Sequence, residues 1–163
     1  STFFPVFFIF FDVNNITISG LYFTDKGQFK CSTKGGNDNV VFEYNVFDND
    51  ITLVSGYPNG AELMFNPYKG SFNKNLTVRN NRFLSTGGKT YHLFLTNIEN
   101  LTVYGNYFEG TYAQVYADSI MFDDTEDYGA IGDIIIENNE FYNICQYGII
   151  FWNYHDMNLK IIK

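Results

Sequence analysis

The chain has 163 residues, of which 45% are hydrophobic and 20% aromatic, and it carries a net charge of −8. This length fits one domain. Residues 90–159 contain 11 acidic residues and no Lys or Arg. The sequence therefore argues against nucleic acid and against an anionic lipid membrane as partners, because both are bound through cationic side chains.

The first predicted element lies in the apolar segment 1–11, which is too short to span a bilayer. After it, a nine-residue pattern with Asn (Asp in one copy) at its first position and Phe at its last recurs along the chain. The five complete copies are Asn15–Phe23, Asn39–Phe47, Asn75–Phe83, Asn100–Phe108 and Asp133–Phe141, and a sixth begins at Asn158. The copies start 24, 36, 25, 33 and 25 residues apart. Periods of this size predict stacked repeats that bury their apolar faces against one another.

Each copy predicts two strands, and a third follows before the next copy. The first strand alternates, as where Leu76 and Val78 flank Thr77, and such alternation is typical of a half-buried strand. The Phe belongs to the second strand. The third-strand segments are Phe8–Asp12, Leu63–Phe65, Leu93–Leu95, Ile120–Phe122 and Ile149–Phe151. Equivalent strands of successive copies should pair in parallel at about 4.8 Å.

Two columns of side chains follow from constant offsets within the pattern. We expect an Asn to adopt the left-handed conformation at the corner after the first strand, and these amides to hydrogen-bond along the stack. We expect the Phe residues to stack in the interior. The corner asparagines are Asn45, Asn81, Asn106 and Asn139, and the phenylalanines are Phe23, Phe47, Phe83, Phe108 and Phe141.

The pattern Asn-x-[Ile/Thr]-[Ile/Val]-x-x-Asn-x-Phe…Gly-Ile resembles the right-handed parallel β-helix of the pectin-lyase-like superfamily, over nearly the whole chain. The resemblance implies an all-β solenoid of about six coils with three short strands per coil. We expect residues 1–163 to form a single β-helix domain and to be a segment of a longer protein. Most polygalacturonase motifs are missing, and only the isolated pair Asp123-Asp124 matches one of them.

Two functions stay open, because a fold does not name a reaction. One is an extracellular, cell-surface or virion protein that binds polysaccharide and could cleave it as a glycoside hydrolase or polysaccharide lyase. The other is a non-catalytic structural rod of an adhesin, fibre or phage tailspike, with further coils or copies of the same protein as partners. The acidic second half would repel a polyanionic sugar but not a neutral one.

The sharpest candidate site is acidic and consists of Asp118, Asp123, Asp124, Glu126 and Asp127. Glycoside hydrolysis needs two carboxylates about 5 Å apart for retention or 6.5–9.5 Å apart for inversion, and this segment could supply them. Carboxylate oxygens also suit Ca²⁺, so the last four residues could form a calcium site, with no other cofactor expected. A solvated acidic turn is the third possibility.

A second candidate group is basic and polar: Arg79, Arg82, Lys89 and His92. Polysaccharide lyases of this fold generally use such residues to neutralise a uronate and to remove a proton. The alternative is structural, since Arg79 occupies the same outward position as Glu43 one repeat earlier and the two should form an ion pair.

Two further groups are left open by the sequence. One aromatic group could stack on sugars or simply lie at the surface. Three Asn-x-Thr sequons could carry glycans, or could arise only because Thr suits an outward strand position. The aromatic group is Trp152, Tyr154 and His155, and the sequons begin at Asn15, Asn75 and Asn100.

Overall fold

The fold of the computed structural model is all-β and is built from parallel sheets. The structure describes residues 6–10, 12–25, 29–33, 36–49, 60–65, 70–85, 90–110, 118–123, 130–144, 147–152 and 157–163. These ranges contain seventeen strands and no helix.

The strands form three sheets, which the chain visits in turn. The first sheet contains β1 (Val6–Phe10), β4 (Phe29–Thr33), β7 (Gly60–Phe65), β10 (Thr90–Leu95), β13 (Asp118–Asp123) and β16 (Tyr147–Trp152). The second contains β2 (Asn14–Ser19), β5 (Asp38–Glu43), β8 (Asn73–Arg79), β11 (Ile98–Tyr104), β14 (Ala130–Glu137) and β17 (Met157–Ile162). The third contains β3 (Tyr22–Asp25), β6 (Val46–Asn49), β9 (Arg82–Ser85), β12 (Tyr107–Glu109) and β15 (Glu140–Tyr142).

The register between neighbouring strands joins equivalent positions of successive sequence copies. Leu101 pairs with Leu76 on one side and with Ile134 on the other, and all three are buried. The expected parallel stacking of equivalent strands is therefore confirmed, and three sheets visited in turn fit a β-helix.

The interior contains the predicted phenylalanine column on the third sheet. Successive ring centroids are 4.9, 4.7, 4.8 and 5.1 Å apart, and the rings are within 13° of parallel. The three central rings have no exposed area. The members are Phe23, Phe47, Phe83, Phe108 and Phe141, so this prediction is confirmed. These centroid distances lie within the 4.5–7 Å range that is favourable for aromatic pairs, so the column adds to the stability of the interior.

The predicted amide ladder is also present, at the corner between the second and third sheets. We call Asn45, Asn81, Asn106 and Asn139 the buried row. The backbone N–H of Asn81 donates to Oδ1 of Asn106 at 2.9 Å, and the Asn81 side-chain amide donates to the same oxygen at 3.1 Å. Asn106 makes the same two bonds to Asn139 at 2.9 and 3.0 Å. The row thus supplies partners for backbone groups that a sharp corner would leave unpaired.

The prediction that these asparagines themselves adopt the left-handed backbone conformation is wrong. The left-handed residue is the one before each member of the buried row, as at Tyr44 (φ 55°), Asn80 (φ 54°) and Asn138 (φ 54°). Gly105 takes this position before Asn106 with φ 63°. The buried row is therefore selected by its side-chain hydrogen bonds, while the preceding residue makes the turn.

A second amide row, which the sequence analysis did not predict, lies at the first position of the copies. We call Asn15, Asn39, Asn75, Asn100, Asp133 and Asn158 the exposed row. The first four members have φ between 49° and 60°. Asn39 donates its side-chain amide to Asn15 at 2.7 Å, and Asn100 donates to Asn75 at 3.1 Å. The sequon asparagines Asn15, Asn75 and Asn100 are thus all members of a hydrogen-bonded row.

Candidate functional site

The outer faces of the three sheets differ in chemistry. On the first sheet, Met64, Phe94 and Met121 form a small apolar cluster and are at most 8% exposed. On the second sheet, the outward positions hold the exposed row and residues such as Thr77 and Thr102. Among the described residues, the outer face of the second sheet carries one tyrosine, Tyr104, beside Arg79 and Glu137, whereas the third sheet carries three outward tyrosines together with charged side chains. The outer face of the third sheet is the candidate binding surface.

The outer face of the third sheet consists of two rows of side chains, one on each side of the phenylalanine column. The first row is Tyr22, Val46, Arg82, Tyr107 and Glu140, in strand order. The second row is Thr24, Asp48, Leu84, Glu109 and Tyr142. We call these ten residues the tyrosine face. Since neighbouring strands are about 4.8 Å apart, the face extends about 19 Å along the stack.

Two tyrosines of this face are held by carboxylates. The hydroxyl of Tyr22 donates a hydrogen bond to Asp48 on the neighbouring strand. The hydroxyl of Tyr107 donates to Oε2 of Glu109 at 3.2 Å. The bond to Asp48 raises the pKa of Tyr22, while desolvation and then the charge of Glu109 raise the pKa of Tyr107. Both phenols are therefore neutral donors near neutral pH.

Arg82 is the only cation of the tyrosine face. Its guanidinium lies over the ring of Tyr107, 5.5 Å from the ring centroid, which is within the range of a cation–π contact. The face also carries three carboxylates, Asp48, Glu109 and Glu140. Its net charge is therefore negative, which disfavours a polyanionic ligand.

The basic group expected from the sequence is not assembled at one site. Arg79 forms the expected ion pair with Glu43, with Nη2 and Oε2 2.6 Å apart, on the outer face of the second sheet. Arg82 lies on the tyrosine face. Lys89 lies outside the described residues. Among the described residues, the group therefore gives two surface cations on two different faces, Arg79 and Arg82.

His92 lies in the interior, out of reach of a ligand at the surface. It is 3% exposed, and its Nδ1 lies 2.6 Å from Oε2 of Glu62, which is fully buried. Its ring also packs 6.0 Å from Phe83 and 5.8 Å from Phe108. The burial of the His92–Glu62 pair was not predicted from the sequence. His92 and the next residue, Leu93, both face the interior, whereas neighbours in a regular strand face opposite sides.

The acidic candidate site falls largely outside the described part of the chain. Asp118 and Asp123 are the first and last residues of β13, where the structure describes the backbone. Asp124, Glu126 and Asp127 lie outside the described residues. Their catalytic and calcium-binding roles stay predictions. Within the ranges that the structure covers, no group of three His, Cys, Asp or Glu side chains could hold a metal ion.

One pair of predicted site residues is brought together by the backbone. Trp152 ends β16 and pairs in register with Asp123 at the end of β13. Tyr154 and His155, which were grouped with Trp152, lie outside the described residues.

In the part of the chain that the structure describes, no helix is long and apolar enough to cross a membrane.

The tyrosine face was missed by the sequence analysis, although a signal for it exists. In every complete copy, the residues directly before and after the terminal Phe point outward, because neighbours in a strand face opposite sides. These positions hold Tyr22, Tyr107 and Tyr142. Their exposed fractions are 59% for Tyr22 and 50% for Tyr142.

Searches of protein-family models, of curated proteins and of solved structures found no match to this chain. By its fold and surface, the protein is an all-β protein of three parallel sheets with a tyrosine-bearing outer face.

Proposed function

We propose that this chain is a right-handed parallel β-helix of the pectin-lyase-like type that binds an extended, uncharged polysaccharide along its tyrosine face. The spacing of exposed rings and hydrogen-bonding groups on this face supports the proposal. Tyr22, Tyr107 and Tyr142 lie on strands one, four and five of the third sheet, with carboxylates between them. Rings offer apolar surface to sugar C–H groups, and carboxylates accept hydrogen bonds from sugar hydroxyls.

Charge favours an uncharged ligand over a uronate polymer. The tyrosine face has three carboxylates and one guanidinium, and residues 90–159 contain no Lys or Arg. A polyuronate would place like charges beside Asp48, Glu109 and Glu140, which is unfavourable. A neutral chain avoids this repulsion. The protein would then act outside the cell, on a cell surface or on a virion, where such polysaccharides are displayed.

Binding should be tested with matched tyrosine variants. Isothermal titration calorimetry with neutral and with uronate oligosaccharides should show that only a neutral oligosaccharide binds. Tyr142→Ala should weaken it by about tenfold, which corresponds to about 1.4 kcal/mol. The control is Tyr104→Ala, because Tyr104 is 40% exposed but belongs to the second sheet. Equal losses in both variants, or no binding to any glycan, would contradict the proposal.

Cleavage of the polysaccharide is a separate proposal that depends on the acidic segment Asp118–Asp127. A reducing-end assay on the bound oligosaccharide tests it directly. Asp123→Asn should abolish cleavage and leave binding unchanged if Asp123 is one of the two acids. Added Ca²⁺ should raise the melting temperature if the segment holds that ion, following mass action. A solvated turn responds to neither experiment.

The second candidate function is a structural rod. The phenylalanine column and the buried row run through the repeats without interruption from Phe23 to Phe141 and from Asn45 to Asn139. Such continuous packing would serve a stiff shaft with or without a ligand. Absence of glycan binding, together with an intact fold, would favour this function.

A further inference from the structure

Three buried asparagines lie at the corner between the first and second sheets: Asn37, Asn73 and Asn97 are 1%, 2% and 0% exposed. Asn37 and Asn73 occupy equivalent positions of successive repeats, whereas Asn97 directly precedes Ile98, the register partner of Asn73. The backbone N–H of Val13 donates to Oδ1 of Asn37 at 3.0 Å, and the Asn37 side-chain amide donates to Oδ1 of Asn73 at 2.9 Å. The side-chain oxygens of Asn37 and Asn73 thus each accept a hydrogen bond from the repeat before.

The regular pattern stops after Asn73, because the equivalent position in the next repeat is Ile98. Nδ2 of Asn73 and both side-chain polar atoms of Asn97 are buried and have no hydrogen-bond partner. The two backbones are nevertheless adjacent, because the N–H of Asn73 donates to the carbonyl of Asn97 at 3.0 Å. On the other side, Ile98 pairs with Ala130, and the residue before Ala130 in the sequence is Gly129, which has no side-chain amide.

The three unpartnered atoms define the chemistry of a ligand. They are two amide nitrogens, which donate, and one amide oxygen, which accepts. An anion would be repelled by the oxygen and a cation by the N–H groups. A small neutral molecule that accepts two hydrogen bonds and donates one satisfies all three, and water does so. A buried polar group left without a partner is unfavourable, which gives the binding a driving force.

We propose that Asn73 and Asn97 hold one internal water molecule at this corner. The site differs from the buried row, where the amides of Asn81 and Asn106 bond directly to the next repeat. At the corner of Asn73 and Asn97, a solvent molecule is thus part of the interior of the stack.

Nuclear magnetic resonance on the whole chain tests this proposal. Cross-relaxation between water and the side-chain NH₂ protons of Asn73 and Asn97 should have the sign of a long-lived complex. The NH₂ protons of Asn81 and Asn106 are the matched control and should show no such signal. A signal missing at Asn73 and Asn97 would overturn the proposal, as would a direct hydrogen bond from Asn73 to Asn97 in a crystal structure.

The variant Asn97→Gly sharpens the assignment. Asn97 has φ 47°, a conformation that Gly adopts without strain, so the substitution removes the amide while retaining the backbone. The long-lived water signal at Asn73 should disappear, because two of the three hydrogen bonds to the water are lost. An unchanged signal at Asn73 would show that Asn97 does not bind the water.

Discussion

The buried row and the exposed row are made of the same residue type but use it differently. In the buried row, Asn81 and Asn106 have 1% of their surface exposed and bond to backbone groups of neighbouring repeats. In the exposed row, Asn39 and Asn75 have left-handed backbones and their amides bond mainly to other side chains. In the buried row, asparagine is needed for its side-chain hydrogen bonds. In the exposed row, it is needed because it tolerates the left-handed backbone conformation. Substitutions should separate the two roles.

The largest effect is expected in the phenylalanine column, which shares the interior with the buried row. Phe83 has no exposed area and stacks on Phe47 and Phe108 at 4.7 and 4.8 Å. Phe83→Ala should lower the free energy of unfolding by about 3–5 kcal/mol, because it removes apolar contact and leaves a cavity. Urea unfolding measures this. Tyr104→Ala on the outer surface is the control and should change stability by less than about 0.5 kcal/mol.

The next effect is expected in the buried row itself. Asn106 accepts from the backbone N–H of Asn81 at 2.9 Å and donates to the carbonyl of Val78 at 2.8 Å. Asn106→Leu keeps the volume similar but leaves both backbone groups buried without a partner, at about 1–3 kcal/mol each. Thermal and urea unfolding should both report the loss. A change below about 0.5 kcal/mol would show that the row is not needed for the corner.

The exposed row should respond to backbone strain more than to loss of the amide. Asn75 has φ 49°, and its amide donates to Asp38 at 2.8 Å. Asn75→Ala should destabilise the protein by about 1–2 kcal/mol, since Ala is strained at positive φ. Asn75→Gly removes the same amide without strain, because Gly adopts positive φ readily, and should cost less than Asn75→Ala. Equal losses in the two variants would mean that the amide, not the backbone, is what matters here.

The smallest effect is expected at the tyrosine face and depends on pH. The hydrogen bond to Asp48 raises the pKa of Tyr22 above the ordinary value of 10.0. Because the neutral phenol is the donor, its contribution to stability is complete below pH 10 and is lost as the pH rises through the raised pKa. The difference in tyrosinate absorbance between the unmodified protein and Tyr22→Phe reports the ionisation of Tyr22. This difference should therefore titrate with a pKa above 10.0. Titration at or below 10.0 would contradict this contact.

Much of the fold could be predicted from the sequence because constant offsets report stacked positions directly. Phe83 and Phe108 lie eight residues after the start of their copies, and equivalent residues meet on neighbouring strands. The conformation of the corner was predicted less well, because Asn80 and Asn81 are both asparagines and the sequence does not say which one turns. The tyrosine face was not predicted, because the outward residues differ from copy to copy. They become one surface only when the strands are stacked side by side.

The direction of the hydrogen bonds in the buried row has a consequence for how the chain folds during synthesis. The backbone N–H of Asn81 finds its partner only on Asn106, one repeat later, and that of Asn106 only on Asn139. A repeat that has just left the ribosome is therefore incomplete until its successor arrives. Each later repeat therefore completes the corner of the repeat before it, and the last corner of a partly assembled stack keeps a backbone N–H without this partner.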